Sequence, residues 1–241
     1  RRERLRRFVP VEPENGRGEV RAQHATTHPD GGIWHLISLI CRVSSRPPDP
    51  PALISETMEK TNLSAEMAAA SAEAARVVGN VPQNALNART PCGDWDLRTL
   101  LNHTILWTSY SAERRAHGES VAEDLMNKDF TADPGFREDY AKQVKKAVDA
   151  WSTPAAWEGT RDMMGSATPA TDIGAMLIME MALHGWDVAR ATGQEYHATD
   201  ALAAVLEDTV TKQAELFRKY QGFADAIEPD STATAFDRAL A

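Results

Sequence analysis

Three polar residues interrupt a long apolar stretch late in the sequence, and their side chains are of the types that bind metals or carry protons. Glu180, His184 and Asp187 are spaced i, i+4 and i+7, which places them on one face of a helix. The residues around them are apolar nearly all round, which predicts a buried helix. A carboxylate in such an interior costs several kcal/mol unless it is paired, protonated or bound to a metal. Glu180 therefore needs either His184 along the same helix or a cation from elsewhere.

A second histidine belongs to an earlier helix. Leu100, His103 and Trp107 fall on one face of that helix, so His103 points into the protein if its two neighbours do. His103 and His184 could then meet. Two imidazoles and one carboxylate are ligands of the kind that bind zinc and leave a fourth position open. A buried ion pair stays an alternative, because only the Glu180–His184 half of this site is local in sequence.

Residues near these candidates have less specific roles. Asp187 could orient a ligating imidazole, as carboxylates beside metal-bound histidines do, or it could form a structural ion pair with Arg98. We expect Cys92 to be structural and Trp95 and Trp186 to pack in the core, with the lining of a ligand pocket as the less favoured alternative for the two tryptophans. Only Asp187 and Arg98 are therefore added to the site, as supporting residues.

The elements that must position these residues are predicted to be helices, since the sequence has no convincing alternation of period two. Gly79, Gly118 and Gly193 are helix-terminating residues that separate them. The expected fold is all-α, a bundle of four long helices in which the fifth segment is either the fourth wall or an addition, with an extra short C-terminal helix. The predicted helices are residues 64–78, from 94 or 96 to about 115, 136–151, from 171 or 172 to 192, 200–220 and 233–240.

The composition excludes several classes of function. The chain of 241 residues has 26 Lys+Arg against 35 Asp+Glu, a formal net charge of -9. This balance argues against nucleic acid or an anionic membrane surface as the main partner. The two cysteines, Cys41 and Cys92, lie too far apart for a CxxC zinc site and do not form a disulfide framework, which favours a cytoplasmic location. A homodimer is compatible with such a bundle, although no residue specifies one.

The first 57 residues differ from the rest. Residues 1–57 have nine Arg, no Lys, seven Asp+Glu and seven of the 13 Pro, and all eight Met fall at or after Met58. We expect this segment to be disordered or a non-native N-terminal extension, and residues 58–241 to form the helical domain.

Two segments carry a resemblance to a known family. TPCGDWDLRTLLNHT, residues 90–104, and MALHGWDVARATGQ, residues 181–194, resemble paired motifs of actinobacterial metal-binding proteins of the DinB-like superfamily, of the mycothiol-dependent maleylpyruvate isomerase N-terminal domain type. The resemblance covers roughly residues 60–220 and implies a DinB-like four-helix bundle. It also implies a divalent metal, usually Zn²⁺, held by residues that match His103, Glu180 and His184.

The resemblance further implies a function. Family members use mycothiol, a small thiol, in transfer to electrophiles or in thiol-assisted isomerisation, so we expect a metal-dependent mycothiol transferase or isomerase acting on a small electrophile. The isomerase itself has an additional C-terminal domain, and this chain ends at Ala241, so we do not expect maleylpyruvate as the substrate. Two alternatives stay open: a non-catalytic metal- or thiol-binding stress or sensor protein, and a purely structural bundle in which Glu180 and His184 pair.

Overall fold

Helices form most of the part of the chain that the computed structural model describes, namely residues 63–163, 166–219 and 223–241. The N-terminal segment 1–57, expected to be disordered or non-native, lies outside these residues. The helices are α1 (Ser64–Gly79), α2 (Leu97–Ile105), α3 (Ala112–Ala116), α4 (Glu123–Met126), α5 (Phe136–Trp151), α6 (Ala170–Thr192), α7 (Asp200–Lys219) and α8 (Ala235–Ala239). A π-helical turn, Leu106–Ser111, joins α2 to α3 without a break.

Four long helical elements enclose the core, which confirms the predicted all-α bundle. Helix α1 packs against α5 and α6, and the rod formed by α2, the π turn and α3 packs against the same two helices. Helix α7 packs against α6 and α1, and the short α8 packs against α7. The fifth segment is therefore an addition to the bundle, and α8 is the extra short C-terminal helix.

Helix α5 follows the predicted apolar periodicity. Phe136, Tyr140, Val144 and Trp151 are buried along one face, because residues four apart lie above one another on a helix. The indole Nε1–H of Trp151 donates to the carbonyl of Ala112, 2.8 Å away, which ties the end of α5 to the start of α3.

Helix α2 begins where the sequence places an acidic N-cap. The Asp96 carboxylate accepts a hydrogen bond from the backbone N–H of Thr99, 2.9 Å away, and satisfies one of the free donors of the first turn. Beyond the π turn, the hydroxyls of Thr108 and Tyr140 lie 2.9 Å apart, which links this rod to α5. The rod ends before Gly118, whose φ of 74° lies in the left-handed region.

A small sheet lies where no strand was predicted. Strands β1 (Thr160–Met163) and β2 (Ser166–Pro169) form an antiparallel hairpin between α5 and α6. Each strand has four residues, and none of them is fully buried, so the segment lacks the alternation of apolar and polar residues by which half-buried strands are recognised. The helix α4 and the 3-10 turn Phe130–Ala132 were also not predicted.

No helix within the described ranges combines the length and the apolarity needed to cross a membrane.

Candidate metal centre

Helix α6 carries most of the site because it is the most enclosed helix of the bundle. Ile178, Met181 and Ala182 have no solvent-exposed surface, and they flank Glu180 on the helix. Gly185 lets neighbouring elements approach closely, since a Cβ there would lie 2.9 Å from the ring of Tyr196. The helix ends at Gly193, whose φ of 69° gives the left-handed terminus expected from the sequence.

Helix α2 supplies the other histidine from the facing side. Leu100 and Leu101 are fully buried, and His103 is 8% exposed. The π turn begins three residues after His103, and turns of this kind recur inside helices at functional sites. His103 therefore lies where α2 packs against α6.

The three predicted ligands converge around one carboxylate oxygen. His103 Nε2 lies 3.1 Å from Glu180 Oε2, and His184 Nε2 lies 3.3 Å from the same oxygen. The two imidazole rings are 4.8 Å apart between centroids and meet at 82°. Both rings direct Nε2 toward Glu180, so the donor atoms surround a common point.

These separations fit a tetrahedral zinc ion. Ligand atoms about 2.0–2.1 Å from a tetrahedral zinc ion lie about 3.3 Å from one another. The two nitrogen–oxygen separations of 3.1 and 3.3 Å match that value. The Glu180 side chain is 21% exposed, so the ligand residues are not completely enclosed by protein.

Burial and hydrogen bonding shift the pKa values of the three predicted ligands in opposite directions. Burial would raise the pKa of Glu180, but hydrogen bonds with His103 and His184 outweigh it and hold that pKa well below the usual range. Burial lowers the pKa of His103, which favours the neutral imidazole. Burial would also lower the pKa of His184, but hydrogen bonds with Asp187, Cys92 and Glu180 outweigh it and raise that pKa well above the usual value.

Asp187 lies on the other side of His184. Its Oδ2 is 3.1 Å from Nδ1 of His184, so a proton on Nδ1 is directed to this carboxylate while Nε2 is directed to Glu180. Two roles were considered for Asp187, namely orientation of an imidazole and an ion pair with Arg98. The distances correspond to the first, orientation of the His184 imidazole.

Arg98 does not occupy the position expected for a partner of Asp187. Its Nη1 lies 3.1 Å from Asp129 Oδ2 and 3.0 Å from the hydroxyl of Thr131. Arg98 and His103 are five residues apart on α2, so they are about 140° apart around the helix and cannot both face α6. The ion pair with Asp187, one of the two roles considered for that residue, is therefore not formed, and Arg98 instead pairs with Asp129 and anchors residues 129–131.

Two tryptophans flank the imidazoles. The ring of Trp95 lies 5.0 Å from that of His103 and 6.3 Å from that of His184, and Trp107 lies 6.5 Å from His103. Trp95 packs against the core as predicted, and it also forms one wall of the metal centre. Trp186, by contrast, is half-buried with Arg190 over its ring.

Cys92 is the residue whose place at the site the sequence did not reveal. Its Sγ lies 2.9 Å from Asp187 Oδ2 and 3.9 Å from His184 Nδ1, and burial raises the pKa of its thiol. Cys92 lies in the loop before α2, where no helical periodicity indicates a direction. The only available signal was its position inside the quoted segment 90–104, a few residues before the helix that carries His103.

The comparison with protein families identifies the chain. The family model of the mycothiol maleylpyruvate isomerase N-terminal domain matches residues 67–189. The chain belongs to this family. The matched range contains Cys92, His103, Glu180, His184 and Asp187, and the family's helical, DinB-like architecture agrees with the bundle described above. No curated protein and no solved structure matches the chain.

Proposed function

We propose that this member of the mycothiol maleylpyruvate isomerase N-terminal domain family binds one divalent metal ion, Zn²⁺, through His103, Glu180 and His184. We further propose that the site takes mycothiol as cosubstrate for transfer to, or isomerisation of, a small electrophile. The observation that carries the proposal is the convergence of both Nε2 atoms on Glu180 Oε2, at 3.1 and 3.3 Å.

The number of proposed protein ligands supports a catalytic metal site with an open position rather than a structural site. Structural zinc sites use four protein ligands, whereas three protein ligands with an open fourth position are typical of catalytic sites. The partial exposure of the Glu180 side chain is consistent with such an open position. A bound divalent cation in such a position supplies one chemistry, which is to hold a coordinating thiol as its nucleophilic thiolate.

The position of Cys92 supports a thiol that comes from outside. Its Sγ lies beside Nδ1 of His184, whereas the proposed ligand atom of that ring is Nε2 on the opposite side. Cys92 is the only cysteine within the described ranges. We therefore assign a nucleophilic sulfur at the open position to a cosubstrate rather than to Cys92, and the family name points to mycothiol.

The residues of the chain would have separate tasks in this reaction. His103 and His184 bind through neutral nitrogens, Glu180 brings one negative charge, and Trp95 covers the two rings. In a transfer by addition, the thiol proton passes to solvent and the sulfur forms a bond to a carbon of an activated double bond. The π bond breaks, its electron pair moves to the neighbouring atom, and that atom takes up a proton from solvent. In an isomerisation the bond between sulfur and carbon later breaks and the thiol leaves.

A structural role for the cluster is the second candidate, and one observation favours it. Glu180 is already hydrogen-bonded by two imidazoles, so its charge has partners without any ion. In this case the cluster would be a buried ionic network that joins α2 to α6.

Metal stoichiometry separates the two candidates. The full chain, purified without a polyhistidine tag or chelator, is analysed by elemental mass spectrometry beside His103→Ala and the exposed control His117→Ala. About one zinc ion per chain, lost only in His103→Ala, is the expected result. A folded wild-type chain that takes up no metal supports the structural network instead.

Cosubstrate binding is tested on the cobalt-substituted chain. Addition of mycothiol is expected to produce a sulfur-to-cobalt charge-transfer absorption, because the thiol sulfur binds the open position. Metal without such a band, together with no binding by calorimetry, would favour a metal-binding protein that does not use the thiol.

A further inference from the structure

Cys92 is held in place by the loop in front of α2. Its backbone N–H donates to the hydroxyl of Thr90, 3.1 Å away, and that hydroxyl donates to the carbonyl of Trp95, 2.8 Å away. An isolated antiparallel β-bridge between the backbones of Arg89 and Asp96 closes the same loop. The direction of the Cys92 side chain is therefore set by a local hydrogen-bonded turn.

The thiol of Cys92 contacts the carboxylate that orients His184. Its S–H donates to Asp187 Oδ2 over 2.9 Å, and the same oxygen lies 3.1 Å from His184 Nδ1. On the opposite side of that ring, Nε2 faces Glu180. A chain of contacts thus runs from Cys92 through Asp187 and His184 to the proposed metal ligands.

We propose that Cys92 is a positioning residue, whose S–H holds the Asp187 carboxylate against Nδ1 of His184 so that this ring presents Nε2 to the metal. The inference rests on the metal site proposed above. It gives the cysteine a role distinct from that of nucleophile or ligand. It also makes the loop at residues 89–96 part of the metal centre, although this loop contributes no ligand to the ion.

A second metal ion bound by Cys92, Asp187 and His184 is the competing interpretation, since their donor atoms also lie within 4.8 Å of one another. The distance between Sγ and Oδ2 does not fit a shared ion. A thiolate and a carboxylate oxygen on one tetrahedral zinc ion lie about 3.5 Å apart, given bonds of about 2.3 and 2.0 Å. The observed 2.9 Å between Sγ and Oδ2 is shorter. A second ion would also require His184 to bind through both ring nitrogens.

The decisive experiment measures zinc affinity in full-length variants by competition with a chromophoric chelator. Cys92→Ala removes the donor and is expected to weaken zinc binding by about fivefold to tenfold. This loss is at or below the lower end of the roughly 10- to 100-fold loss typical when a residue in direct contact with a metal ligand is replaced. Cys92→Ser keeps a donor and is expected to restore affinity to within about twofold of wild type. Cys41→Ala, a change at the other cysteine, is the control and should leave affinity unchanged.

The outcomes distinguish this inference from the function on which it rests. A wild-type chain that binds no zinc would contradict the metal site itself. One zinc per wild-type chain with equal affinity in Cys92→Ala would overturn the positioning role alone. Two ions per chain, with one lost in Cys92→Ala, would overturn it in favour of a second metal site. Unfolding temperatures of the metal-free variants are measured in parallel, and Cys92→Val, which fills the space but has no donor, should fail to restore affinity; full affinity in Cys92→Val would overturn the positioning role.

Discussion

The imidazole of His103 meets that of His184 nearly edge-on, with ring centroids 4.8 Å apart and planes at 82°. The two residues are 81 positions apart in sequence and come from facing helices, α2 and α6. Their Nε2 atoms lie on either side of one oxygen of Glu180. The relative placement of these two helices therefore sets the geometry of the whole metal centre.

Zinc is expected to stabilise the folded chain by mass action, because the three ligands are brought together only in the folded state. Free zinc at about 100 times its dissociation constant should add about 2.7 kcal/mol to the free energy of unfolding. Thermal unfolding with added zinc and with a chelator measures this shift. Persistence of the shift in a His103→Ala, His184→Ala double variant would contradict the ligand assignment.

Glu180→Gln is expected to lower zinc affinity at least tenfold, although the side chain keeps its volume. The amide lacks the negative charge that both imidazoles face at 3.1 and 3.3 Å. Chelator competition gives the affinity, and Glu138→Gln on the exposed side of α5 is the matched control. Equal affinity in the two variants would remove Glu180 from the site.

The fold and the positions of His103, Glu180 and His184 were predictable from sequence, because the spacing of apolar residues shows which face of a helix points into the protein. The spacing of Glu180 and His184 determines their shared face, and Leu100 with Trp107 fixed the inward direction of His103. Helix α5 and the end of α6 at Gly193 followed the same logic of apolar stripes and terminal glycines.

The parts that sequence did not reveal lie outside regular helices or depend on distant partners. Cys92 is in a loop, and its contact with Asp187 spans 95 positions. The sequence suggested Asp187 as a partner of Arg98, and only the three-dimensional packing shows that Arg98 pairs with Asp129 instead. Strands of four residues, none of them fully buried, as in β1, have too weak a pattern to detect.

Gly174→Ala is expected to destabilise the protein by about 1–3 kcal/mol, because a Cβ at this position overlaps the ring of Trp157. The indole of Trp157 has little room to move, since its Nε1–H donates to the carbonyl of Trp151 over 2.6 Å. Urea unfolding measures the change. Gly79→Ala, where an added Cβ meets nothing within 4 Å, is the control and should not destabilise the protein.

Asn102→Ala is expected to cost about 1–3 kcal/mol of stability while leaving one metal ion per chain. The Asn102 side-chain oxygen accepts from the backbone N–H of Phe130 over 2.7 Å, and its amide donates to Asp129 over 3.0 Å. Loss of these bonds leaves a partly buried donor without its partner. Denaturant unfolding and elemental analysis of the same sample check both parts, and loss of metal would show that this anchor also holds His103.

In the rod formed by α2, the π turn at Leu106–Ser111 and α3, the number of residues in the π turn matters as much as their side chains. The wide turn holds one residue more than a regular α-helical turn, so closing it to regular geometry with all its residues kept would rotate one end by about 100° relative to the other. Trp151 fixes the far end through the carbonyl of Ala112, so the rotation would fall on His103 and swing it away from Glu180. The wide turn thus sets the phase between the half of the rod that packs on α5 and the half that carries His103, so closing the turn without removing a residue would disable the proposed metal centre without altering any residue in it.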